Sequence, residues 1–522
     1  MADVPGESFV VEVCRRGALK PLVGAFCLML AIGSCYSWGV LTTYVTSSLR
    51  QDHPSVGYTE TFSSYILGLL FVAIGSPVGG RLERTIGARA TCAVGGTLVI
   101  SSAVFAYLSI KAGSLWGVVT SVGVLFGFGG GVTLLPPLVC CYRWLPEYKG
   151  YVSGIVMSGY GGGAIIFDQI ASAYANPRNA PVQAEGDADD DHWNAFINCD
   201  AGGASAGACD RAASMYLLFA AVFAGLYAVG ILLLAEPPAS ALWSASPLPP
   251  STLTSSGGGG GGEYSLMFDG EGLLPDVAAL DKMLDDEASV NGPRQLAGSQ
   301  AGEQTGRRRP ADMGELAAHP LARLEVLSFI TTAMAGFSVA GSFKSFASLH
   351  FSDDRFLGAV GSLSSVANLA GRLSWGAAAM RFGWSRALVA LSAVQTLFVA
   401  TFAPAVATSN EVVLAAWTCA ILFNYGGNFA IYPTATAELF GQERCGENHG
   451  AILLVFGVAA TGATLLLTGL EGGEHGSSAL YYILGGIQAL GTAVALALSV
   501  LERRWGAGGS AVPPHRRSQQ AR

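Results

Sequence analysis

Charged side chains are scarce in this sequence: Asp, Glu, Lys and Arg together make up only 13% of its 522 residues. A soluble protein carries about 25% charged residues, so about half of the expected charge is missing. This scarcity argues against a chain built from soluble domains. In contrast, 51% of the residues are hydrophobic and 69 are glycine, a composition typical of a helical protein that crosses a membrane several times.

Groupings of residues that carry enzyme chemistry or hold metal ions are also lacking. The ten cysteines form no C-x-x-C pair, and no grouping of serine, histidine and acid stands out. The sequence therefore predicts no enzyme activity, no cofactor, no metal site and no nucleic-acid partner. Cys199 and Cys209 flank a Gly/Ala-rich stretch of a polar loop. They are candidates for a disulfide if that loop faces an oxidising compartment.

Apolar runs of spanning length dominate the rest of the sequence. A membrane-spanning helix needs about 20 mostly apolar residues. Backbone groups in lipid must be hydrogen-bonded within the protein, which here favours helices over strands. The runs lie near residues 21–45, 61–80, 90–110, 115–141, 151–174, 212–235, 324–349, 356–380, 386–407, 411–437, 449–470 and 478–501. The sequence thus predicts an all-α membrane protein with twelve transmembrane helices in two six-helix halves.

The intervals outside these runs define the predicted domain organisation. Residues 1–20 are the N-terminal tail and residues 21–235 the first half. Residues 324–501 are the second half and residues 502–522 the C-terminal tail. The interval 236–323 between the halves is low in apolar residues and contains SPLPPSTLTSSGGGGGG. This composition is typical of a flexible, low-complexity linker.

Lys and Arg in the short connections predict the orientation of the helices, because these residues collect on the cytosolic side. One side carries the larger set: Arg15, Arg16, Lys20, Arg81, Arg84, Arg89, Arg143, Lys149, Arg381, Arg386, Arg444, Arg503 and Arg504. The other side carries Arg50, Lys111, Arg178, Arg211 and Arg355. Both termini and the linker are therefore expected in the cytosol, and the membrane is either the plasma membrane or that of an organelle.

A short motif recurs at matching points of the two halves. It consists of a glycine, an acid–arginine pair and a second glycine, in GGRLERTIGAR after the second span and GAAAMRFGWSR after the eighth. Its candidate gating residues are Gly79, Glu83, Arg84, Gly376, Arg381 and Gly383. Two parallel halves are expected of a carrier that rocks about a central site. The motif resembles the loop signature of the major facilitator superfamily, with one extra residue in the first copy and Met380 replacing the acid in the second.

Two longer blocks carry a more specific resemblance. GFGGGVTLLPPLVCCYRWLPEYKGYVSGIVMSGYGGGAIIF (127–167) and NYGGNFAIYPTATAELFG (424–441) resemble helices of the oxalate/formate antiporter-like and monocarboxylate transporter group. The resemblance covers nearly all twelve spans. It implies a secondary transporter of small carboxylates that works by alternating access as a monomer in the lipid bilayer. Proton coupling is one option.

Charged residues inside the spans are the main candidates for function, because a charge at membrane depth costs about 2.5–3.5 kcal/mol and usually faces a cavity or a partner. Asp168, Lys344 and Arg372 qualify. Arg372 has Asn368 one turn earlier on the same helix face, and a guanidinium can bind a carboxylate bidentately. The resemblance implies that Arg372 is the substrate ligand. The alternative is a structural ion pair with an acid on another helix.

The predicted substrate class depends on a second cation. Lys344 could bind a second anionic group, or its side chain could extend to the membrane interface. Dicarboxylate antiporters of the group resembled carry a lysine in the eleventh helix, where this sequence has Phe456. This difference favours a monocarboxylate such as pyruvate, lactate or formate. An oxalate/formate-type exchanger is the alternative, and a non-transporting sensor or scaffold is a hypothesis from another class.

Further polar residues complete the candidate site. Asp168 is a proton-coupling candidate, an ion-pair partner or a hydrated residue near the outer interface. Other residues that could line a cavity are Tyr36, Asn424, Asn428 and Tyr432. Glu438 and His449 bracket the cytosolic ends of the tenth and eleventh helices. They could make gating contacts, but a solvated loop is the simpler interpretation.

The stretch MSGYGGGAIIFD (157–168) matches the G-x-G-x-x-G/A fingerprint of a dinucleotide-binding loop. That fingerprint needs a preceding strand and a βαβ unit, whereas this stretch lies within a continuous apolar run. Small residues four apart share one face of a helix, where helix backbones can approach closely. The glycines therefore predict a packing surface.

Overall fold

The computed structural model describes residues 5–178, 183–184, 195–197, 207–238, 316, 318–348, 350–351, 354–468 and 474–507. The predicted linker lies almost entirely outside these residues, so its boundaries stay predictions. A few side chains within the helices, that of Lys344 among them, also lie outside the description.

The first half consists of helices joined by short turns: α1 (Pro5–Arg16), α2 (Leu19–Ile32), α3 (Trp38–Leu49), α4 (Tyr58–Lys111), α5 (Leu115–Val118), α6 (Phe126–Leu134), α7 (Pro136–Trp144), α8 (Lys149–Ala175) and α9 (Ala208–Leu233). A 3-10 turn at Gly33–Ser37 joins α2 to α3 in the first crossing. A π-helical segment at Val119–Leu125 joins α5 to α6 in the fourth. Between α8 and α9, β1 (Gln183–Ala184) pairs antiparallel with β2 (Ala195–Phe196).

Helix α4 contains the second and third crossings. Its 54 residues would extend about 80 Å at about 1.5 Å per residue, far more than the hydrocarbon core of about 30 Å. The helical path breaks at Gly87, which has φ +81° and ψ 164°. A side chain would be strained at this positive φ, so glycine permits the turn.

The second half has the same kind of architecture: α10 (Pro320–Ser348), α11 (Asp354–Phe382), α12 (Trp384–Ala400), α13 (Phe402–Ala407), α14 (Glu411–Phe440), α15 (Cys445–Thr468) and α16 (Glu474–Ala507). Gly383 separates α11 from α12 with φ +86° and ψ 144°. This backbone conformation is close to that of Gly87, at the matching point of the first half. The repeated motif therefore forms the same turn twice.

The described helices supply twelve crossings, which confirms the predicted fold class. Eight continuous helical segments of the described chain are long and apolar enough to cross a membrane, and Glu60–Lys111 is counted among them once. Because that segment turns at Gly87, it provides two crossings. Helices α11, α12 and α15 provide the remaining three.

The two halves meet along surfaces lined by glycine. A Cβ atom added to Gly376 on α11 would lie 2.5 Å from the carbonyl oxygen of Gly150 on α8. A Cβ atom on Gly450 of α15 would lie 2.7 Å from the Cα of Pro77 on α4. Such close backbone contacts need residues without side chains. The glycine-rich segment of α8 is one continuous helix and packs against its neighbours, as the sequence predicts.

Candidate functional site

A cavity of about 100 Å³ lies between the two halves. Its wall is mainly aromatic and aliphatic. The first half contributes, among others, Cys35, Tyr36, Tyr65, Met157 and Tyr160. The second half contributes Phe337, Tyr425, Phe429, His449 and Phe456. A small apolar cavity with a few polar groups at the interface of two repeats is a typical ligand site.

Arg372 lies beside this cavity on α11 and is fully buried. Its Nε donates to Asn368 Oδ1 at 3.1 Å, and its Nη1 donates to the Met157 carbonyl oxygen at 3.0 Å. The guanidinium carbon lies 5.4 Å from the ring centre of Tyr160 and 4.9 Å from that of Phe429. These contacts fix the guanidinium between helices of both halves, next to two rings of the cavity wall.

The charge of Arg372 is not balanced by any described residue. No carboxylate of the described chain lies within 4.0 Å of the guanidinium, and Nη2 is buried without a described hydrogen-bond partner. An isolated buried charge is costly unless an anion accompanies it. The described residues thus offer no structural ion pair for Arg372, and they leave Nη2 without a hydrogen-bond partner.

The other candidate residues around Arg372 fall into three places. Tyr36 lines the cavity, and Asn368 holds the guanidinium. Asn428 and Tyr432 are buried behind the cavity wall. Asn424 lines a separate groove formed with residues such as Trp375 and Phe398.

A hydrogen-bonded network connects the helices behind the cavity. Tyr432 Oη lies 2.6 Å from Ser328 Oγ and 3.0 Å from Thr332 Oγ1. Thr332 donates to Asn428 Oδ1 at 3.1 Å, and Asn428 donates to Gln395 Oε1 at 3.3 Å. The network joins α10, α12 and α14. Asn428 and Tyr432 therefore have partners within the protein and do not face the cavity.

A second buried group was not among the candidates from the sequence. Glu325 on α10 is fully buried, and its Oε1 accepts a hydrogen bond from Thr436 Oγ1 at 2.6 Å. Thr436 Oγ1 lies 3.0 Å from His449 Nδ1, and His449 lines the cavity with 1% of its surface exposed. The expectation of a solvated loop is wrong for His449. Glu438, in contrast, is exposed.

Asp168 on α8 is half-buried and faces Ser37. One of its carboxylate oxygens is buried without a hydrogen-bond partner among the described residues, and no described cation lies within 4.0 Å. The side chain of Lys344 lies outside the described residues, so its proposed roles stay predictions. Cys209 is disulfide-bonded. Its predicted partner Cys199 also lies outside the description, and that pairing stays a prediction.

Comparison with known proteins gives related carriers over most of the chain. The apicoplast pyruvate carrier 1 of Toxoplasma gondii is 26% identical over 489 residues, which cover 84% of this chain and 81% of that protein. The uncharacterized MFS-type transporter YhjX of Escherichia coli is 23% identical over 449 residues, 85% and 86% of the two chains. The oxalate:formate antiporter of Oxalobacter formigenes is 28% identical over 153 residues, 29% and 34% of the two chains. No protein-family profile matches.

Solved structures show the same fold. A bacterial homologue of the iron transporter ferroportin, in an outward-facing state, has a TM-score of 0.55 at 13% identity and covers 92% of this chain and 99% of that one. The E. coli fucose:proton symporter has a TM-score of 0.54 at 12% identity, with 93% and 98% covered. This chain is similar over most of its length to transporters of the major facilitator superfamily, and it has their fold. It is an integral membrane protein.

The repeated motif makes different contacts in its two copies. Gly79 packs on the backbone of Val132, and Glu83 pairs with Arg143 at 2.5 Å. Arg84 pairs with Glu447 at the start of α15 at 2.6 Å and so joins the two halves. In the second copy, Gly376 packs on Gly150, Gly383 forms the turn, and exposed Arg381 lies 5.8 Å from the ring of Phe382. The roles of these residues in gating stay predictions.

Proposed function

We propose that this transporter moves a small monocarboxylate such as pyruvate, lactate or formate by alternating access, with Arg372 as the ligand of the carboxylate. The observation that carries the proposal is the unbalanced guanidinium of Arg372 beside the cavity between the halves. A bound carboxylate would supply the missing anion and accept charge-assisted hydrogen bonds from the guanidinium. The name of the Toxoplasma relative, a pyruvate carrier, supports the same substrate class.

The surroundings of Arg372 favour one carboxylate over two. The wall of the cavity is mostly apolar, and no Lys or Arg of the described chain lines it. Phe456 of α15 lines it, at the position where a lysine would be expected for a dicarboxylate. The rest of a monocarboxylate such as pyruvate is a short, weakly polar group that suits aromatic contacts. Oxalate/formate-type exchange is the alternative, and it would need a second cation such as Lys344.

Asn368 and Tyr36, which lie beside Arg372, have supporting roles in this proposal. Asn368 fixes the orientation of the guanidinium through the hydrogen bond to Nε, and its own side-chain nitrogen donates to the Leu422 carbonyl oxygen at 3.1 Å. Tyr36 on the opposite half lines the cavity and lies close to Arg372. Substrate would then contact both halves. Such contact is what a carrier needs to couple binding to the rocking of its halves.

Uptake of labelled substrate into proteoliposomes tests the proposal. We expect purified transporter to accumulate labelled pyruvate, lactate or formate, and Arg372→Ala to lower the uptake rate at least about tenfold. The basis is that a charged hydrogen bond contributes about 1.5–3 kcal/mol and about 1.4 kcal/mol corresponds to a factor of ten. Arg503→Ala is the control, because Arg503 is an exposed arginine of α16 that does not line the cavity.

The wild type tests the assignment of the substrate, and the variant tests the assignment of the binding site. If correctly folded wild-type protein transports none of the three substrates, the monocarboxylate assignment is wrong. If the wild type transports and Arg372→Ala does so at the same rate as Arg503→Ala, the substrate site lies elsewhere. Uptake of oxalate in exchange for internal formate, without uptake of pyruvate or lactate, would favour the exchanger.

A further inference from the structure

Glu325 lies in the interior of the second half and has no charged partner among the described residues. It is fully buried, and Oε2 has no hydrogen-bond partner among the described residues. No Lys, Arg or His nitrogen of the described chain lies within 4.0 Å of its carboxylate. Its one described partner is the Thr436 hydroxyl, 2.6 Å from Oε1.

The neighbours of Glu325 do not supply a compensating charge. From α14, the residues that face it are Thr436 and Tyr432; from α15 they are Cys445 and, one hydrogen bond further away, His449. No charged side chain of α11, α12 or α16 interacts with Glu325 among the described residues. An isolated buried carboxylate loses much hydration free energy, so such a group is held in its neutral, protonated form. In this conformation the Glu325 carboxyl group is therefore protonated.

A short path connects that proton to the cavity. The hydroxyl of Thr436 bridges Glu325 Oε1 and His449 Nδ1, at 2.6 Å and 3.0 Å, and His449 lines the cavity. A hydroxyl can accept one proton and donate another. When the proton of neutral Glu325 is on Oε1, the carboxyl donates to Thr436 Oγ1, and the Thr436 hydroxyl turns to donate to His449 Nδ1. The Glu325 proton then passes to Thr436 Oγ1 as the Thr436 proton passes to His449 Nδ1, which leaves a carboxylate and an imidazolium. The imidazolium then releases the proton on Nε2 to water in the cavity, and uptake of a proton is the reverse.

The same helix links this path to Arg372. Phe429 on α14 packs against the guanidinium, and Thr436 follows it by about two helical turns. The Phe329 ring, on α10 near Glu325, lies 5.8 Å from the ring of Phe429 and 6.1 Å from that of His449. A movement of α14 on substrate binding therefore changes the surroundings of Glu325 as well.

We propose that Glu325, Thr436 and His449 form the proton-coupling site of this transporter, so that Glu325 carries the proton that accompanies the substrate. The proposal rests on the proposed function and assigns the coupling to α10, α14 and α15. Asp168 on α8 is the competing site from the sequence.

Two assays on the same proteoliposomes separate coupling from transport. The first is exchange of labelled for unlabelled pyruvate without a pH gradient; the second is net uptake driven by an acidic exterior, with a trapped pH-sensitive dye to record proton entry. We expect Glu325→Gln to exchange pyruvate and to lose both the acid stimulation and the proton entry. Asp168→Asn and Glu438→Gln, an exposed acid on α14, should keep both.

The possible results test the coupling site and the proposed function separately. An unchanged response of Glu325→Gln to acid, or loss of the response in Asp168→Asn alone, would overturn the coupling site. Exchange by the wild type without any acid stimulation or proton entry would also overturn it, while leaving the proposed function intact. Failure of the wild type in both assays would refute the proposed function. If Glu325→Gln does not fold, Thr436→Val removes the bridging hydroxyl and must lose acid stimulation in the same way.

Discussion

The two halves contain the same turn, but the side chains that precede the turn differ in charge. Gly87 and Gly383 have nearly the same backbone conformation. Before the first of these turns, Glu83 is buried and pairs with Arg143. At the matching point of the second half stands Met380, whose sulfur accepts a hydrogen bond from the Gly150 backbone at 3.3 Å. An ion pair between side chains of the first half is thus replaced by a neutral contact between the halves.

The difference extends to the buried charges. Glu83 of the first half has a described counterion, whereas Arg372 and Glu325 of the second half have none. A buried charge with a counterion is neutralised within the fold. A buried charge without a counterion is neutralised by a bound ligand or by a proton. We therefore expect Glu83 to stabilise the first half and propose that Arg372 and Glu325 of the second half act in transport.

Removing the ion pair of the first half should give the largest effect on stability. In Glu83→Gln, Arg143 keeps only the partly exposed Glu236 as a partner. Breaking a buried pair costs about 3–5 kcal/mol, so we expect a clear drop in the thermal unfolding midpoint of the purified protein in detergent. Met380→Leu, at the matching point, conserves volume and should cost less than about 1.5 kcal/mol. Equal losses in the two variants would show that the Glu83–Arg143 pair contributes no more to stability than the neutral contact of Met380.

The hydrogen bond that orients Arg372 comes next in size. Asn368→Ala removes the acceptor of Nε, and a hydrogen bond to a charged group contributes about 1.5–3 kcal/mol. We expect the KM for pyruvate uptake to rise at least about tenfold. Asn424→Ala is the control, since Asn424 lines a groove apart from the cavity. A larger effect of Asn424→Ala would mean that the substrate binds in that groove.

The ion pair between the halves should give the smallest energetic effect. Arg84 and Glu447 are partly exposed, at 38% and 15% of their side chains, and such pairs contribute about 0.2–1 kcal/mol. Glu447→Gln should leave the unfolding midpoint nearly unchanged and loosen this end of the interface. Spin-label distances between α4 and α15 would report a broader, longer distribution. A distribution identical to that of the wild type would remove Arg84 and Glu447 from any gating role.

The sequence predicts the fold well and the site only in part. Spanning helices need long apolar runs, which are local features, so the twelve crossings and the turns at Gly87 and Gly383 can be read from the sequence. The sequence does not identify Glu325 as a buried acid, because Glu325 is the second residue of an apolar run, where an acid normally lies at the membrane interface. The separate positions of Asn424 and Asn428, on one helix, depend on how neighbouring helices pack around α14, which no local pattern determines.

The most direct test of the central claim, that Arg372 binds the carboxylate, is ligand-induced stabilisation of the purified transporter. A ligand that binds only the folded state raises the unfolding midpoint. We predict that pyruvate raises it for the wild type and for Arg503→Ala but not for Arg372→Ala, and that neutral pyruvamide raises none of them. An equal shift by pyruvate in Arg372→Ala, or by pyruvamide in the wild type, would show that Arg372 does not bind the carboxylate.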